Sequence, residues 1–183
     1  IYVKEAIIPE GASVIPKSQF FECRSLEKVY LPESVSGIED YAFADCHVLK
    51  VWESIEKLSL KSVGISAFEN CYALEFVSLP DSLTVIGGAA FAECVSVNKL
   101  IFSDTSLLKK IGDHAFRGCR NLKEVYLPDS VEYVGVSAFR DCSSLEQISV
   151  SEKIKNQPGI AELEKNCPNA RIRFREVNSV EKE

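Results

Sequence analysis

Methionine is missing from all 183 residues, and the chain has only two histidines, His47 and His114, and one tryptophan, Trp52. With no initiating residue and no basic-then-apolar leader, the sequence reads as an internal stretch of a longer product. No apolar run approaches the ~18 residues that cross a bilayer, so no membrane-inserting segment is expected. Positive charge is in deficit: 21 Lys and Arg face 27 Asp and Glu, for a net charge of −6. Nucleic acid and anionic membranes select clustered cations, so neither is an expected partner. Asn-x-Ser/Thr glycosylation sequences, nucleophile-elbow phrases and calcium-loop spacings are all absent. Gly87-Gly88 lacks the lysine and helix setting of a phosphate-binding loop and reads as a turn. No catalytic residue, metal or cofactor is therefore expected, and both histidines read as exposed.

What is present is repetition. The seven cysteines, at 23, 46, 71, 94, 119, 142 and 167, are spaced 23, 25, 23, 25, 23 and 25 apart. Their number is odd, and they form neither Cys-x-x-Cys pairs nor His-containing metal spacings. Each fills one slot of a repeat where a small buried residue is wanted. A period of about 20–29 residues is that of leucine-rich-repeat solenoids. The alternation points to a duplicated double unit, because 23–35 (CRSLEKVYLPESV) and 119–131 (CRNLKEVYLPDSV) agree at nine of thirteen positions.

Within a repeat, aliphatic residues fall three, six and eight after the cysteine, as at Leu26, Val29 and Leu31. The last two share one side of a strand. Proline then ends it at Pro32, Pro80 and Pro128. Seven residues after the leucine that precedes each proline stands Ile38, Ile86 or Val134, followed by Ala-Phe-x-x-Cys. The three- and four-residue spacings of Ile38, Ala42, Phe43 and Cys46 predict one face of a short α or 3-10 turn that drops the Phe inward. Glycine follows the aliphatic residue at 64, 87, 112 and 135. A left-handed turn would need it there, but Glu39 holds the same column, so positive φ is not required or the turn differs locally.

The ends depart from the pattern. Phe20 stands in the Phe position of a degenerate first repeat, 1–23. Residues 158–166 predict a helix with Ile160, Leu163 and Cys167 on one face. Ile172 and Phe174 follow one residue out of register, as part of a cap over about 156–175. Residues 1–175 thus read as a single domain, with 176–183 a charged tail.

The phrase L-P-x-S-V-x-x-I-G-x-x-A-F-x-x-C-x-x-L, seen from Leu79 to Cys94 and from Leu127 to Cys142 then Leu145, resembles the BspA-like (Treponema-type) leucine-rich repeat family. The repeat at 46–71 is a poorer copy, with Trp52, Ser54 and no proline. The resemblance implies an α/β solenoid: a right-handed superhelix of about seven repeats, with a parallel β-sheet on one face and short α or 3-10 turns on the other. It also implies a bacterial or protist protein at the cell surface or secreted, which binds protein partners in adhesion or host interaction. Such members share no catalytic residues.

If residues six and eight past the cysteine point inward, those five and seven past it face solvent. These columns supply Tyr30, Val51, Phe76, Lys99, Ile101, Glu124 and Tyr126 as candidate partner-binding residues. Eight strands would give a ribbon about 34 Å long, suited to a protein or extended polymer. The alternative is a structural spacer carrying another functional domain. Trp52 counts as inward, beside Ser54; a one-residue slip would reverse it.

Overall fold

The computed structural model describes residues 2–53 and 58–176, with no side-chain account of 51–53. Each of the first six coils contributes a three-residue strand and then a two-residue strand, and two five-residue strands follow. The first seven are β1 (Glu5–Ile7), β2 (Val14–Ile15), β3 (Lys28–Tyr30), β4 (Gly37–Ile38), β5 (Val51–Glu53), β6 (Ser62–Val63) and β7 (Phe76–Ser78). Then follow β8 (Val85–Ile86), β9 (Lys99–Ile101), β10 (Lys110–Ile111), β11 (Glu124–Tyr126), β12 (Tyr133–Val134), β13 (Gln147–Ser151) and β14 (Arg171–Arg175). Every pairing is parallel and joins one coil to the next, which is the topology of a solenoid.

Two ladders run along the stack. The longer strands form a three-stranded sheet, β1-β3-β5, and a five-stranded sheet, β7-β9-β11-β13-β14. The expected single ribbon is thus divided, and the division falls in the coil that departs most from the repeat, where proline is missing. Residues 54–57, Ser54 among them, lie outside the described residues. The short strands form a second, six-stranded ladder from β2 to β12 that the sequence reading did not foresee. Ile38 and Ile86 belong to this ladder and not to a helical face.

The Ala-Phe-x-x-Cys segment is likewise not helical. Ala42 N–H donates to Glu39 O and Cys46 N–H to Phe43 O, each three residues back. Between them, Phe43 N–H donates across to Ala67 O in the next coil at 2.8 Å. Alternate amides are thus spent between coils, which a helix cannot do. Tyr41 and Asp45 take left-handed φ of 58° and 60°, and the equivalent residues Ser66, Asn70, His114, Ser137 and Asp141 do the same. Asn and Asp tolerate that region better than most residues.

The glycine column has a different cause from the turn geometry the sequence suggested. Gly64, Gly87 and Gly112 do not have positive φ; neighbouring coils simply approach too closely for a side chain. A Cβ on Gly87 would stand 2.6 Å from Gly64 C, and one on Gly112 2.5 Å from Gly88 N. Glu39 escapes the restriction near the start of the ladder, where its carboxylate accepts the Lys17 N–H at 2.8 Å.

Inside, the rings of Phe20, Phe43, Phe68, Phe91, Phe116 and Phe139 stack at 5.1–5.5 Å between centroids. The strand residues at slots three, six and eight bury beside them in one continuous core. At the C-terminal end the expected helix is two short ones, α1 (Pro158–Ala161) and α2 (Leu163–Asn166), hinged at Glu162. Ile160, Leu163 and Cys167 bury as anticipated. A turn one residue shorter than in earlier coils sets Ile172 opposite Ile148, which restores the register.

Candidate recognition face

Three-residue strands on a half-buried sheet expose their first and third residues and bury the second. β1, β3, β9 and β11 all show this pattern, with Ala6, Val29, Leu100 and Val125 inward. The candidate residues fall on the outward positions. Tyr30, Phe76, Ile101 and Tyr126 are 37%, 42%, 37% and 54% exposed, and Lys99 and Glu124 are exposed beside them. Phe76, Lys99, Glu124 and Gln147 are consecutive partners across β7, β9, β11 and β13. Val51 pairs with Lys28 in the separate β1-β3-β5 sheet, and Trp52 pairs with the inward Val29, so no one-residue slip occurs. The side chains of Val51 and Trp52 lie outside the described residues. The division of the sheet keeps Tyr30 and Val51 out of the row formed by the other candidates.

The sequence reading missed the three arginines of β14. Arg175 reaches back past β13 to Tyr126. Its guanidinium carbon lies 3.7 Å over the Tyr126 ring, and Nη1 is 3.1 Å from Asp129 Oδ1. The group also donates to the Tyr126 hydroxyl and to Leu127 O. Ser149, in the strand that Arg175 crosses, is buried although it stands in the outward column. The alternation in Arg171-Ile172-Arg173-Phe174-Arg175 was the available signal. Two shallow troughs open on this face, one of ≈ 450 Å³ beside Lys99, Glu124 and Tyr126 and one of ≈ 320 Å³ beside Ile7 and Tyr30.

Elsewhere six of the cysteines and His47 are engaged in structure. Cys46, Cys71, Cys94, Cys119, Cys142 and Cys167 each donate Sγ–H to the Phe carbonyl of the preceding coil, at 3.0–3.4 Å. Burial pushes all six thiols up, Cys46 to about 12 and Cys167 to about 11, so no attacking thiolate forms near neutral pH. His47 is stacked on Tyr72 with centroids 4.7 Å apart, and its Nε2 is 3.5 Å from Asp45 Oδ1. Both histidines, expected to be exposed, are half-buried, because neighbouring coils pack against turn positions as tightly as against strands. The described residues contain no cluster of His, Cys, Asp and Glu able to hold a metal, and no helix long and apolar enough to cross a membrane.

A stack of parallel strands with an inward aliphatic and Phe spine defines the leucine-rich-repeat class of solenoid. Within that class, the chain belongs to the BspA type leucine rich repeat family, which matches in six copies over residues 2–107 and 61–167. The chain has no match among curated proteins. Among solved structures it is similar to a leucine-rich repeat protein from Bacteroides ovatus, at 22% identity and TM-score 0.65, covering 97% of this chain and 62% of that one. It is similar to the pneumococcal vaccine antigen PcpA, at 26% identity and TM-score 0.64, covering 82% and 41%. A leucine rich cell surface protein from Faecalibacterium prausnitzii is 22% identical, with TM-score 0.56 and coverage of 97% and 61%. The chain spans less than two thirds of each of these proteins. Leucine-rich-repeat solenoids generally mediate protein interactions, and the family is generally non-catalytic.

Proposed function

We propose that residues 1–175 are the non-catalytic recognition unit of a bacterial or protist protein displayed at the cell surface or secreted, and that it binds a protein partner in adhesion to a host. The sheet face is the binding surface, with Tyr30, Val51, Phe76, Lys99, Ile101, Glu124 and Tyr126 as contact residues. The observation that carries this reading is the contrast between columns. Inward slots repeat the same residues coil after coil, whereas the outward slots five and seven past each cysteine change at almost every coil. Packing constrains the first set, whereas the second, apart from Tyr126 beneath Arg175 and the buried Ser149, is largely exposed and so free to encode recognition. The surface-protein and antigen descriptions of the Faecalibacterium and pneumococcal neighbours support display outside the cell.

The test is direct binding to a panel of purified host extracellular proteins, using the chain and a variant with Tyr30, Phe76, Ile101 and Tyr126 changed to Ser. Micromolar or tighter binding that the variant loses supports the reading. Binding that survives all four changes overturns the assigned face, and absence of binding across the panel favours a spacer.

A further inference from the structure

We propose that Tyr30, Leu31, Pro32 and Glu33 form a docking site for an arginine side chain presented by the protein partner. The inference deepens the sheet-face reading and rests on it. The fold itself contains the precedent. The phrase Tyr-Leu-Pro-acid occurs twice, at 30–33 and 126–129, in the two stretches that agree best along the chain. In both copies the ring and the acid are exposed while the leucine and proline beneath them are buried.

In the second copy the protein fills the site with its own arginine. Arg175 lies flat over Tyr126, pairs with Asp129 and donates to the Tyr126 hydroxyl and Leu127 O. In the first copy, Glu33 makes no ion pair among the described residues. A trough of ≈ 320 Å³ lies between this phrase and the preceding coil, lined by Ile7, Ile8, Tyr30 and Pro32 together with Glu10 and Glu33. Ile7, 77% exposed, offers apolar surface to a methylene stem. The Tyr30 ring offers a face to a planar cation, and the two carboxylates complete the charge match. A guanidinium can stack and fork at once, whereas an ammonium is a point charge, so arginine is preferred to lysine. The remaining Leu-Pro-acid copy, at 79–81, shows what the site requires. Ser78 stands there in place of the tyrosine, and Asp81 already accepts from the Ser103 and Thr105 hydroxyls.

The experiment is an NMR titration with N-acetyl-arginine amide, following the Ile7 methyl and Tyr30 ring signals. Saturable millimolar shifts are expected, weaker with N-acetyl-lysine amide and absent with N-acetyl-norleucine amide. Glu33→Gln and Tyr30→Leu, both surface changes that leave the thermal midpoint in place, should each weaken binding by about two- to fivefold. Tyr126 signals should respond only in Arg175→Ala, where the second site has been emptied. Equal shifts with norleucine amide, or an unchanged response in Glu33→Gln, overturn the proposal. If the four-serine variant loses its partner while Glu33→Gln binds arginine amide normally, this site is wrong and the sheet face stands.

Discussion

The Cys94 thiol donates to the carbonyl of Phe68 in the preceding coil at 3.1 Å, with the Phe68 and Phe91 rings stacked 5.1 Å apart alongside. The same bond recurs from Cys46 to Cys167. It explains why the slot takes cysteine where alanine or valine would also be small and apolar. Cys94→Ala removes both the bond and buried volume and is expected to cost about 1–2 kcal/mol in urea unfolding. Cys23, half-buried at the first position of the column, should cost less than about 0.5 kcal/mol on the same change. Equal costs at the two positions would count against the thiol–carbonyl ladder.

Alkaline pH should unfold the solenoid. Burial holds the column of thiols above their ordinary range, Cys46 at about 12 and Cys71, Cys94, Cys119 and Cys142 also raised. An unfolded chain ionises them near ~8.5, so above that pH it releases protons that the folded chain keeps. Stability is therefore fully present below ~8.5 and falls as pH rises toward the folded values, by up to about 1.4 kcal/mol per pH unit per thiol. Cys167, also raised, contributes less because solvent screens it more. A urea midpoint unchanged between pH 8 and pH 10.5 would contradict this.

The ring stack should be the most sensitive part of the core. Phe91 is fully buried between Phe68 and Phe116. Phe91→Ala is expected to cost about 3–5 kcal/mol, whereas Phe174→Ala on the edge strand, 46% exposed, should cost under about 1 kcal/mol. Chemical denaturation of the two variants decides between them.

Close approach between coils gives a separate prediction. Gly87→Ala places a methyl 2.6 Å from the Gly64 carbonyl carbon, which only separation of the coils can relieve. A loss of at least about 2 kcal/mol is expected, although Ala suits the backbone φ there. A loss confined to a few tenths would mean that the coils part easily.

The inward half of this architecture was legible in the sequence. Counting from the cysteines placed Val29, Val77, Val125 and the six-ring Phe spine correctly, because side-chain alternation in a strand and burial are local properties of the repeat. The second ladder was not legible. Two-residue strands carry too little alternation to register, and three- and four-residue spacings imitate a helix when the backbone turns through left-handed residues. Tyr30, Phe76, Lys99, Ile101, Glu124 and Tyr126 do face outward, but Ser149 in the same columns is buried, and the state of Tyr126 was not legible. Its partner, Arg175, is 49 residues away and becomes a neighbour only after two further coils have stacked.

The repeat, its register and the identity of the spine therefore follow from the order of residues, since each depends on spacing along one chain. Where the sheet divides, why the glycine column is glycine, and that Arg175 covers the second of the two Tyr-Leu-Pro-acid phrases were settled only by how the coils pack. Those outcomes depend on distances between coils and on how far a side chain reaches across them, quantities that periodicity does not contain.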